Sequence, residues 1–136
     1  YIDVLEHIKD DAAELAKAAT HLTKGGKIIV VSPSYNWLYT TFDFAVGHYR
    51  RYTRNTLLKI TPPSLEPSKM YYLDSIGLFA SLANKHLLNE IQPKLGQLNI
   101  WDKILVPVSI VTDPLLAYRF GKQIIAIWKL KETSPS

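Results

Sequence analysis

The sequence predicts an α/β domain on a largely parallel sheet, and three observations carry that prediction. "KIIVV" (27–31) is a run of consecutive branched residues without polar alternation, as expected of a strand covered on both faces. An apolar stripe of Leu15, Ala18, Ala19 and Leu22 precedes it at helical spacing and stops at Gly25-Gly26. "KQIIAIWKL" (122–130), with charge only at its ends, closes the order as a last strand. Strands alternating with helices imply a layered domain whose ligands sit at the carboxyl ends of the strands.

In chain order, "YIDVL" reads as a first strand, parallel to "KIIVV". Asp11, with Glu14 three residues on, is the expected N-cap of the helix between them. Pro33 ends the second strand. A polar loop then runs into "FDFAVGHYRRYTR" (42–54), where one histidine and three arginines are set among aromatic rings. Thr53 can cap a short helix through Leu57 and Leu58 that cannot pass Pro62-Pro63. "KMYYLDS" is a third candidate strand, and Ile76 to Tyr118 reads as helical pieces broken at Pro93, Pro107 and Pro114.

The chain has 136 residues, 47% hydrophobic, which suits one globular domain with a core. Its net charge of +4 is too mild and too spread to argue for nucleic acid, which is not expected as a partner. The absence of cysteine excludes a disulfide framework, thiolate zinc sites and thiol nucleophiles, and accords with a cytoplasmic location. The longest apolar runs stop well short of the ~20 residues of a spanning helix. The start at Tyr1, inside an apolar run, is expected to be a cut rather than a natural one.

The fold places Asp3, Glu6 and His7 on one rim with the loop after Ser32 and the basic-aromatic stretch. A carboxylate and an imidazole at a strand end can orient a substrate hydroxyl or take its proton, so Glu6, His7 and His48 are the catalytic candidates. No metal is assigned; the alternative is a divalent ion held by Asp3, Glu6, His7 and His48, a mixed oxygen and nitrogen set. Arg50 and Arg51 can capture a carboxylate or phosphate through the guanidinium fork, or serve a solvated turn in which one pairs with Asp43. With a helix starting at Arg54, adjacent arginines cannot both face a pocket, so one is expected inward and one structural. Tyr49 can pack against a substrate ring or sit half-buried in the core.

Read together, "DVLEHIKDD", "LTKGGKIIVVSPS", "GHYRRYTR" and "YLDSIG" resemble the C-terminal half of class I S-adenosylmethionine-dependent methyltransferases, in the small-molecule branch that often carries "GHxRRYT". The resemblance implies a partial Rossmann-like sheet, strands four to seven, with an antiparallel seventh strand. Residues 1–131 would be the C-terminal part of the domain, 76–120 a helical substrate-side insertion before the last strand, and 132–136 a flexible tail. It implies S-adenosyl-L-methionine as cofactor, lined by Asp3, Leu5, Glu6 and His7. An acceptor would be bound by Tyr35, Trp37, His48, Tyr49, Arg50 and Arg51. The expected reaction is methyl transfer to an oxygen or nitrogen of a small acceptor, anionic or lipid-linked ones included, which leaves a membrane surface among the expected contacts.

The family's glycine-rich loop and ribose-binding acid have no counterpart here, so the chain is expected to be a fragment that is inactive alone. Its first strand would be left as an open edge through which chains associate. The rival reading is a non-catalytic interaction module derived from the same fold, using its apolar cap to bind a partner.

Overall fold

The computed structural model describes residues 1–83 and 101–132. Among them, three strands form one sheet: β1 (Lys27–Pro33), β2 (Leu65–Leu73) and β3 (Gln123–Leu130). Five helices accompany it: α1 (Asp11–Thr20), α2 (Thr41–Ala45), α3 (Arg54–Lys59), α4 (Ser75–Ala83) and α5 (Val106–Leu115). The molecule is mixed α/β.

The sheet order is β1-β3-β2, and β3 is antiparallel to both neighbours. The expected largely parallel sheet is therefore corrected. β1 and β2 run in the same direction, but the last strand enters between them, so each of their ladders is made with β3. Parallel pairing survives at the outer edge of β1, where Ile2 bridges Val31. "YIDVL" makes only this bridge and is not a strand. Asp3 adopts a left-handed conformation (φ 50) and turns the chain into a single 3₁₀ turn at Leu5–His7.

β1 buries Ile28, Val30 and Ser32 and leaves Ile29 exposed. The expectation of two covered faces fails here, because a run of branched residues signals a strand without fixing how many faces are packed. Opposite the buried β1 residues in the register stand Trp128, Ala126 and Ile124 of β3. Leu15 and Ala19 of α1, Leu57 of α3, and Leu5 and Tyr52 complete this core. Trp128 is wholly buried and its indole N–H donates to Thr61 Oγ1 at 3.0 Å, so the ring contributes apolar burial without an orphaned donor.

Several element ends differ from expectation. Asp10, not Asp11, caps α1, accepting from the Ala13 N–H at 3.0 Å. Thr53 caps α3 as expected, and the helix ends at Lys59, ahead of Pro62-Pro63. β2 begins at Leu65, earlier than "KMYYLDS"; it tolerates Pro67 because it is an edge strand with a register shift between Pro67 and Lys69. Pro107 lies at the start of α5 and Pro114 in its last turn, and the helix continues through both. One π-helical turn, Trp101–Leu105, leads into α5. Pro93 and the tail beyond Glu132 lie outside the described residues.

Gly121 opens β3 under a strict steric limit. A Cβ there would lie 2.1 Å from the Leu73 carbonyl oxygen, so only glycine lets β3 start against the end of β2.

Candidate functional site

The carboxyl end of β1 gathers side chains from three separate segments. Tyr1–Asp3 lies along β1, with the Asp3 N–H donating to Val31 O and the Val31 N–H to Tyr1 O, both at 2.9 Å. The 3₁₀ turn then carries Glu6 inward until its side chain is fully buried. Glu6 Oε2 accepts from the Ser32 hydroxyl at 2.8 Å, while Oε1 has no hydrogen-bond partner. A buried carboxylate oxygen left without a hydrogen-bond partner is costly.

The third segment is the loop that carries α2. Thr40 caps this helix, and its N–H and hydroxyl both donate to Asp43 Oδ2, at 2.8 and 3.0 Å. Gly47, at φ 84, makes the reversal that returns His48 beside Asp43, where the His48 N–H donates to the Asp43 carbonyl at 2.9 Å. Asp43 Oδ1 lies 2.8 Å from His48 Nδ1, and Arg51 donates to the same carboxylate through Nε and an Nη, both at 2.9 Å.

Burial pushes Asp43 up, but the hydrogen bonds from Arg51 and His48 and the charge of Arg51 outweigh it and hold the carboxyl below its ordinary value. An ionised carboxylate can only accept, so His48 Nδ1 carries a proton. Its Nε2 is thereby turned toward Glu6 Oε1, 4.0 Å away. His7 stands edge-on to His48 with ring centroids 4.6 Å apart. One ligand atom from each of Glu6, His7 and His48 lies within 4.8 Å of the others. Of the alternative four-residue set, Glu6, His7 and His48 are brought together, and exposed Asp3 does not join them.

Not all the expected site residues face this cluster. Leu5 is a core residue with no exposed surface, so its side chain cannot line a cofactor pocket. Arg50 pairs with Asp11 at 2.6 Å and donates to the Lys9 carbonyl at 2.7 Å. Arg51 is committed to Asp43. The inward and structural arginines are thus both engaged with internal carboxylates, and capture of an acceptor anion is not what their geometry favours. Tyr49 is exposed, with its N–H donating to the Glu6 carbonyl at 2.8 Å.

Tyr35, at φ 60, stacks between Trp37 and Tyr72, with centroids 5.3 and 5.1 Å away. Burial, reinforced by Tyr72, pushes the Tyr35 hydroxyl up to about 12, so it stays protonated at neutral pH. Trp37 is half exposed.

Two supports were not foreseen. Ser32 anchors Glu6, and Asp11 accepts from the buried Tyr52 hydroxyl at 2.7 Å as well as from Arg50. Neither had a local signal, since the partners are 26 and 41 residues apart. Lys122, at the entry to β3, is lowered to about 8 chiefly by burial, and it too gave no sequence cue. An open groove between α1 and β1, lined by residues including Tyr1, Lys17 and His21, contains none of the clustered side chains. Comparison with protein-family models and with curated proteins finds no match to the chain.

Proposed function

We propose that this chain forms the acceptor side of an S-adenosylmethionine-dependent methyltransferase that methylates an oxygen or nitrogen of a small molecule. The observation that carries the reading is the Asp43–His48 pair aimed at buried Glu6 at the carboxyl end of β1. The placement of β3, antiparallel as the family resemblance implies for its seventh strand, supports it as well.

Exposed Asp3 and His7 flank buried Glu6 and fit one wall of a cofactor pocket; the sequence supplies no G-x-G loop for the remainder. Bound there, the cofactor's sulfonium would supply an already electrophilic methyl group. The residues of this chain would then position the acceptor and receive its proton. Asp43 fixes the His48 ring and stabilises the imidazolium formed when Nε2 takes the proton. Ser32 holds the Glu6 carboxylate beside that nitrogen. Exposed Ile104, Val108, Ile110, Val111 and Leu115 on and next to α5 offer apolar surface to a greasy or lipid-linked acceptor. No helix among the described residues is long and apolar enough to cross a membrane.

The rival reading, an interaction module, is favoured by one feature: Ile2, Val4 and Ile29 are exposed at the outer edge of the sheet. Calorimetry with S-adenosylhomocysteine, paired with methyl-transfer assays, separates the two. In the protein that carries this sequence, His48→Ala should lower methyl transfer by ~10²–10⁴-fold while cofactor affinity changes by less than about threefold. Absence of cofactor binding would overturn the enzyme reading, and an equal loss of cofactor affinity would move His48 to the cofactor side.

A further inference from the structure

We infer that Glu6, His7 and His48 form a binding site for a divalent first-row transition ion. Three independent features converge on it. The first is the donor set: one carboxylate and two imidazoles, with ligand atoms within 4.8 Å of one another. Two histidines and one carboxylate suit zinc or iron and leave coordination positions open, whereas calcium and magnesium prefer oxygen ligands throughout.

The second feature is the orphaned acceptor. Glu6 Oε1 is fully buried, lacks a hydrogen-bond partner and faces His48 Nε2 at 4.0 Å. That gap is too long for a hydrogen bond; tetrahedral metal–ligand bonds of ~2.0–2.2 Å place ligand atoms ~3.3–3.6 Å apart, so an ion between the two atoms would draw them together by about half an ångström. A cation between the two atoms satisfies both.

The third is the support behind the ligands. Asp43 accepts from His48 Nδ1, which fixes the tautomer that presents the Nε2 lone pair, and Arg51 and Thr40 hold Asp43 in turn. Ser32 fixes the other carboxylate oxygen of Glu6. Metal-ligating histidines ordinarily carry such a carboxylate on the second ring nitrogen, where it orients the ring and raises its basicity. His7 is exposed and completes the set from the solvent side, so the open positions face incoming ligand.

An ion here occupies the nitrogen that otherwise receives the acceptor's proton. In the loaded state an acceptor oxygen would bind the metal, whose charge would lower the pKa of the hydroxyl so that its proton is lost to solvent water rather than to His48. The metal site itself does not rest on the methyl-transfer reading.

The test is calorimetric titration of the full chain, stripped of metal, with zinc sulfate, alongside cobalt(II) absorption spectra. One equivalent of zinc should bind, and cobalt should give the visible bands of a low-coordinate site. Glu6→Gln and His48→Ala should each weaken zinc binding at least ~10-fold, while His21→Ala, a histidine outside the cluster, leaves it unchanged. If Glu6→Gln does not fold, exposed His7→Ala carries the same expectation. Zinc binding that is absent, or that survives in His7→Ala and His48→Ala alike, overturns the inference. Cofactor binding without zinc binding would overturn this site and leave the methyl-transfer reading standing; zinc binding without cofactor binding does the reverse.

Discussion

Among the described residues, the carboxylate cluster at the end of β1 contrasts with a second one where β2 meets α4 and α5. In the second, Asp113 accepts from the Asp74 and Ser75 N–H groups at 2.8 and 2.9 Å, one on each oxygen. Asp74 Oδ1 accepts from the Ser109 hydroxyl and the Gly77 N–H at 2.8 and 2.9 Å. These bonds cap α4 and staple α5 to it. A Cβ on Gly77 would fall 1.9 Å from the Asp74 carboxylate, so only glycine fits against it. The first cluster has comparable support behind Asp43 but leaves Glu6 Oε1 unpartnered. Asp113 shows a buried carboxylate satisfied for structure alone. The unpartnered oxygen of Glu6 is what sets the other cluster apart.

The contrast can be broken at each cluster. Asp43→Ala should have the largest effect on stability, ~3–5 kcal/mol, because it strands the nearly buried Arg51 guanidinium and frees the His48 ring. Urea denaturation measures it, and a loss below ~1 kcal/mol would mean that Asp43 is not an essential anchor. Asp113→Asn comes next at ~1–3 kcal/mol, since an amide can accept from only one of two backbone N–H groups and turns a donor toward the other. Its effect on methyl transfer should follow the folded fraction alone.

Glu6→Gln should do the opposite of Asp113→Asn. The amide is isosteric with the carboxyl and retains an oxygen for Ser32, while no hydrogen-bond partner of Oε1 is lost, so stability should stay within ~1 kcal/mol of the parent or rise. A larger loss would show that Glu6 is structural after all. Acid titration gives the smallest effect. Asp43 is depressed in the folded state, so the stability it contributes is complete above its ordinary 3.8 and is lost as pH falls through its folded value. Acid unfolding followed by circular dichroism should therefore flatten in Asp43→Asn below about pH 4.

The elements with a local signature were the legible ones. α1 and α3 carry their stripes and caps in contiguous residues, and β1 and β3 are unbroken apolar runs. The Asp10-for-Asp11 exchange shows the limit of such reading. Both aspartates suit a cap, and the choice was made by Tyr52, 41 residues on, which required Asp11 for its buried hydroxyl. Burial, followed by that hydrogen bond and the Asp11 charge, pushes the Tyr52 hydroxyl far up, so it remains a donor. The candidate site was legible as a set of residue types, Glu6, His7 and His48, and as a rim location. Its internal wiring was not.

The sequence by itself determined α1, α3, β1 and β3 and that Glu6, His7 and His48 carry the chemistry-bearing groups, because hydrophobic period, caps and side-chain type are written locally. Tertiary structure alone decided that β3 enters between β1 and β2, that Arg50 belongs to Asp11, and that Ser32 leaves one Glu6 oxygen without a partner. These are pairings between distant segments, each chosen among chemically equivalent alternatives. What selects among them is the joint requirement of packing and polar satisfaction, which no single stretch of chain contains.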